Sequence, residues 1–317
     1  SPRRFPLLVF AFLMTRSFYS TSLFSGLLLA ACALAHPAQA QTDLLNDLEK
    51  QTADSTTREV VTATFKGTHI INAQSIETPG AGTLAFLIQH RFGTLNSGAY
   101  NFFGLDNAVL RLSFEYGLTD RLAVGVGRSS TEKTFDGFLK YKALQQTTGV
   151  RPMPVSVTLF ASSAITTLKF DNAFTERSTA SRVDYAYQVL IARKFSPSLS
   201  VQLMPTLIHR NYVALAGMQN DVYSIGAGLR QKLTKRIALT ADYFYVLPGY
   251  VADNFHNALG VGVDIETGGH VFQLHVTNSQ GMTEKFFVPQ TNGNFFDGDI
   301  YFGFTVARNF TVKSHMK

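Results

Sequence analysis

The chain has 317 residues, of which 45% are hydrophobic and 16% charged, with 27 Phe and 12 Tyr against no Trp. A formal charge of +6 is too mild to argue for a nucleic-acid partner. The aromatic-rich, charge-poor profile departs from that of a soluble domain, yet no run after residue 40 approaches the roughly 20 apolar residues of a spanning helix, so a membrane would be met with strands.

The first 40 residues read as an export signal. Met14 precedes Arg16, the apolar run Leu23 to Leu34 follows, and Ala38-Gln39-Ala40 suits signal peptidase with Gln41 as the new N-terminus. An alternative is a lipoprotein box over Leu29 to Cys32, which would leave Cys32 acylated. Residues 41–81 then form a periplasmic segment. It holds a short helix over Asp43 to Lys50, a polar linker, and the stretch Glu59 to Ser75, either a wall strand or an insert, closed by the turn at Pro79-Gly80.

From residue 82 to the end, alternation with period 2 predicts about twelve strands, near 82–93, 107–117, 120–129, 133–144, 153–164, 183–195, 198–210, 221–233, 236–247, 256–267, 269–279 and 297–309. In the second of them Leu110, Leu112, Phe114 and Tyr116 alternate with Arg111, Ser113, Glu115 and Gly117. Strands of about ten residues suit a tilted membrane crossing. Tight reversals at 117–120, 196–198, 234–236 and 266–269 alternate with longer segments at 94–106, 166–182, 211–220, 248–255 and 280–296. Short turns on one side and long loops on the other predict an all-β, antiparallel transmembrane barrel in a bacterial outer membrane, with both termini periplasmic.

The run TATFKGTHIINAQSIETPGAGTLAFLIQHRFG, followed by NFFGLDNAVLRLSFEYGLTDRLAVGVGRSSTEKTFDGFLKYK, resembles an uncharacterised β-barrel family of Bacteroidota-type outer membranes, a domain of unknown function. The resemblance implies fold and location. It carries over no functional residue.

By parity Arg111, Glu115, Asp136, Lys140, Lys142, Lys194, Arg230, Lys232, Asp242, Asp264 and Glu266 face inward. Such a lining serves either a wet pore or a salt-bridged, closed interior. Gly125, Gly127, Gly226, Gly228, Gly260 and Gly262 fall on the same side, leaving room for another backbone, and Val60 to Ile76 is the candidate plug. Otherwise these glycines ease strand coiling.

Catalytic and ligand signals are weak. No Gly-x-Ser-x-Gly elbow or His-Glu-x-x-His pair is present, and His209 is the best-placed histidine for a rim hydrolase. His270 and His275 lie on opposite faces of one strand, so neither a metal site nor a cofactor is expected. The expectation is a passive or gated channel for small polar solutes in contact with outer-membrane lipid. The alternative is a plugged interaction barrel whose loops 166–182 and 280–296 bind another envelope protein or a surface glycan.

Overall fold

Alternation of apolar and polar residues makes a strand with two unlike faces, and twelve such strands close on themselves in this protein. The computed structural model describes residues 58–169, 178–213, 218–267 and 270–312. The expected leader, Cys32 and the helix over Asp43 to Lys50 lie outside them.

The first strand, β1 (Arg58–Val60), pairs with β6 (Thr147–Gly149) in a small separate sheet. The barrel is built from β2 (Thr83–Thr94), β3 (Ala108–Gly117), β4 (Leu122–Ser129), β5 (Thr134–Leu144), β7 (Ser156–Thr166), β8 (Val183–Lys194), β9 (Leu199–Arg210), β10 (Asp221–Lys232), β11 (Ile237–Val246), β12 (Leu259–Glu266), β13 (His270–Thr277) and β14 (Tyr301–Thr311). All twelve pair antiparallel with their sequence neighbours, and β14 closes the ring on β2. A closed ladder leaves no unpaired edge, which is what allows a sheet to sit in hydrocarbon.

Three short turns share one device. Thr119 Oγ1 accepts from the backbone N–H of Arg121 and Leu122 at 3.2 and 2.9 Å. Ser196 Oγ does the same for Ser198 and Leu199, and Thr234 Oγ1 for Arg236 and Ile237. A hydroxyl that satisfies two turn amides fixes a tight reversal without help from glycine.

The outward faces are apolar. Leu112, Phe114, Val126, Leu139, Tyr187, Leu203, Ile225 and Leu239 are all exposed along the wall. Aromatic pairs staple the closing seam: His90 stacks on Phe304 at 5.0 Å and Phe92 on Phe302 at 5.8 Å, across β2 and β14. Cross-strand pairs of this kind contribute roughly 0.2–1 kcal/mol each. Leu112 sits at the middle of β3, so Leu112→Arg is expected to destabilise the membrane-inserted barrel by about 2–4 kcal/mol, read as a lower urea midpoint in lipid vesicles. An unchanged midpoint would mean that this face does not meet lipid.

Candidate functional site

The lumen is occupied by the chain itself. Residues 61–82 enter at the short-turn end beside the β5–β7 connection, where Val61 N–H donates to Gln146 O at 2.9 Å. They leave at the same end, where Gly82 N–H donates to Gly117 O at 2.8 Å. Between these points Thr64, Phe65, His69, Ile70, Ile71, Asn72, Ala73, Gln74, Ser75 and Ile76 are all at most 5% exposed. Beyond β1, which takes in Glu59 and Val60, the stretch to Ser75 is neither a wall strand nor a regular one, apart from the bridge between His69 and Gln74.

An irregular segment satisfies its backbone only through others' side chains, and here the wall supplies them. Asp242 on β11 accepts the amides of Ile71, Asn72 and Ala73 at 3.0, 2.6 and 2.8 Å, and also Asn72 Nδ2 at 2.8 Å. Across the lumen, Lys140 Nζ on β5 donates to Thr68 O at 2.9 Å and Ser75 O at 3.3 Å. Gln202 on β9 accepts from Ile76 N and donates to Gln74 O, while Gln273 on β13 donates to the carbonyls of His69 and Ile70. Arg91 on β2 donates to Ile71 O, and Thr158 on β7 to Ile76 O. His69 Nε2 lies 3.1 Å from Glu115 Oε1 on β3; burial holds the ring below an ordinary histidine, so a neutral imidazole donates there.

Apolar contacts complete the seat. Phe65, Ile70, Ile71, Ala73 and Ile76 join one cluster with Phe138, Phe160, Leu190, Met204, Ile208 and Phe244 of the wall. A second element comes from the other end. The connection between β13 and β14 was expected to face outward, but Met282, Thr283, Glu284, Lys285, Phe286, Phe287, Val288 and Thr291 are buried. Its short helix α1 (Glu284–Phe287) lays Phe287 against Phe244, with ring centroids 5.0 Å apart. The apolar groups of Met282, Phe286, Phe287 and Val288 drive this inward turn, and Glu284 follows them in. Burial pushes the Glu284 carboxyl up, and its Oε1 accepts Gln74 Nε2 at 2.9 Å, joining the two inward elements.

The charged residues expected to line the lumen fall on the inner face, and all but Lys232 have a polar partner. Arg111 pairs with Asp136 through two hydrogen bonds of 3.0 and 2.5 Å, wall to wall. Arg230 Nη2 meets Glu266 at 2.6 Å, Lys66 of the segment meets Glu266 at 3.0 Å, and Lys142 lies 3.8 Å from Glu77. Lys194 Nζ donates to Thr62 O, and Asp264 accepts from Gln273. Lys232 is half-buried at the short-turn end.

The six glycines divide into two groups. A Cβ at Gly228 would collide with Ile70 Cδ1, and one at Gly260 would lie 2.7 Å from Ile71 Cγ2 and 3.0 Å from Asn72 Nδ2. At Gly262 it would come 3.3 Å from Ile71 Cδ1, and nearer still to the wall's own Leu274 O and His275 Cβ, at 2.8 and 2.9 Å. These three meet the inserted segment. Gly125, Gly226 and Gly127 are filled instead by Phe138, Phe244 and the Arg111–Asp136 pair, all side chains of the wall. Gly125 and Phe138 are register partners, as are Gly226 and Phe244, so each glycine makes room for the ring opposite.

The rim candidate His209 has both ring nitrogens engaged, Nδ1 with Asp221 Oδ1 at 2.6 Å and Nε2 with Asn211 Oδ1 at 3.1 Å. Neither partner is a hydroxyl, so the set lacks the serine-type nucleophile of a rim hydrolase. Among the described residues no three His, Cys, Asp or Glu side chains gather into a metal site.

A family model, the membrane-bound β-barrel domain DUF5777, matches residues 65–310. The chain belongs to this family. The DUF5777 match opens at Phe65, ahead of the first wall strand at Thr83, so most of the inserted segment lies within the family's own domain. Comparison with curated proteins returns no match. Among solved structures, the DUF5777 barrel is similar to the NanC porin, at TM-score 0.45 and 9% identity over 72% of this chain and 98% of that one. It is also similar to the KdgM porin, at TM-score 0.43 and 10% identity over 72% and 99%. The outer membrane phospholipase A from Escherichia coli follows at TM-score 0.38 and 13% identity over 71% and 89%.

Proposed function

We propose that this DUF5777 barrel is a gated outer-membrane channel for small polar solutes, drawn here in its closed state. The observation that carries the reading is the position of residues 61–82. On the short-turn side of the segment lies a cavity of about 540 Å³ lined by Lys66, Thr68, Glu77, Glu266, His270 and Asn309. On the long-loop side lie cavities of about 350 and 220 Å³, which share Glu132, Phe255 and Gln290. Cavities at both ends and a hydrogen-bonded segment between them support a gate: the obstruction is held by bonds that can be exchanged for water one by one.

Deleting residues 58–76 tests it. The refolded variant is expected to give steady conductance steps in a planar bilayer where the intact protein is mostly silent. If the deleted and intact proteins both stay silent while the barrel still inserts, the channel reading falls.

The second reading, a plugged interaction barrel, draws on one rim feature. Tyr100, Phe102 and Phe103 project from the β2–β3 loop, with Phe296 also exposed and the two loops joined by the Asn96–Asp299 hydrogen bond. Phe102 and Phe103 both adopt positive φ, +46° and +54°. Such backbone is costly for bulky residues and marks a display held by its surroundings.

A further inference from the structure

The 220 Å³ cavity at the long-loop end is lined by a guanidinium with two nitrogens that make no hydrogen bond. Arg210, the last residue of β9, is 1% exposed and lines this space. Its Nη2 donates to Gln219 O at 2.5 Å, whereas Nε and Nη1 have no partner. Buried guanidinium donors are rarely left unmade, because each lost bond carries its full desolvation cost.

The carboxylates nearby are committed elsewhere. Asp184, the register partner of Arg210, accepts from Lys285 Nζ through Oδ2 at 2.8 Å. Glu132 Oε2 lies 3.7 Å from the same nitrogen and accepts Thr166 Oγ1 at 3.0 Å. Among the described residues, the carboxylates of Glu132 and Asp184 line the same space as Arg210 and Lys285. A monoanion on Arg210 suits this space better than a multiply charged group, which would face Glu132 and Asp184 at close range. Ser181 and Gln290 add neutral polar groups around the same space, suited to hydroxyls. The volume is several times that of one water and takes a small organic ion.

We propose that this mouth pocket binds a small hydroxylated monocarboxylate, whose carboxylate is held by Arg210. The assignment deepens the channel reading by naming a solute class at the outer mouth, and binding is measured apart from conductance so that the two fail separately.

The test uses the refolded protein and calorimetric titration with gluconate, its uncharged counterpart sorbitol, and inorganic phosphate. Saturable binding of gluconate is expected, with sorbitol and phosphate each at least tenfold weaker. Arg210→Met should weaken gluconate at least tenfold and Arg210→Lys less. Ser181→Trp, which fills the cavity while leaving Arg210 in place, should also abolish binding and covers the case in which Arg210→Met does not fold. Equal binding of gluconate and sorbitol, tighter binding of phosphate, or gluconate binding unchanged in Ser181→Trp would overturn the assignment. Gluconate binding by a protein that never conducts, even without residues 58–76, would leave the pocket standing and remove the channel.

Discussion

Replacing Asp242 by alanine is expected to convert a mostly silent barrel into a conducting one. This one carboxylate gathers three consecutive amides and the Asn72 side chain, the densest set of bonds between the wall and the inserted segment. Successive N–H groups aimed at one point form an anion nest, and the nest empties when the carboxylate goes. Each buried amide left without a partner costs about 1–3 kcal/mol, part of which water recovers. A net loss of about 2–4 kcal/mol would shift the closed-to-open equilibrium by roughly 30- to 1,000-fold. Open probability in a planar bilayer reads this directly, and faster amide exchange over residues 64–76 should accompany it. Asp242→Asn keeps an acceptor and should fall between. A variant as silent as the parent, with those amides still protected, would show that Asp242 does not hold the gate.

Arg111→Met should do the opposite: large damage to stability, none to gating. Arg111 is as buried as Asp242, yet its bonds go to Asp136, Gln89 and Ser113, all on the wall. Removing it strands the Asp136 carboxylate in the lumen wall, and breaking one side of a buried pair costs about 3–5 kcal/mol. The urea midpoint in vesicles should fall accordingly while the inserted fraction remains closed. Conductance appearing in Arg111→Met without loss of stability would mean that the two networks are one.

The contrast between these two residues shows what was legible beforehand. Parity alone put Arg111 and Asp242 on the inner face, because side-chain direction along a strand is local geometry. Whether an inward charge meets the wall or an inserted segment depends on partners 25 residues away in one case and 170 in the other, and no local pattern encodes that. The strands were readable for the same reason, as was Val60 to Ile76 as a candidate plug against inward glycines. Parity could not divide those glycines; that required the register pairing Gly125 with Phe138 and Gly226 with Phe244. The β13–β14 loop misled because its length suggested an outer surface. Its apolar residues Met282, Phe286 and Phe287 were the available sign that it turns inward. Arg210 gave no sign at all, since an arginine at a strand end is ordinary until its neighbours' carboxylates are seen to be spoken for.

The inserted segment stands before the whole wall in the sequence, and its farthest bonds reach Thr277 and Glu284, 205 and 210 residues on. Ring closure between β14 and β2 comes still later. The expected consequence concerns assembly. The wall is completed around residues 64–76 as around a former, because a finished barrel offers them only its end openings for entry. Contacts of such long sequence separation make for slow folding. Variants that loosen the gate should therefore leave their mark twice: once in the open state of the finished molecule, and once in the rate at which it is made.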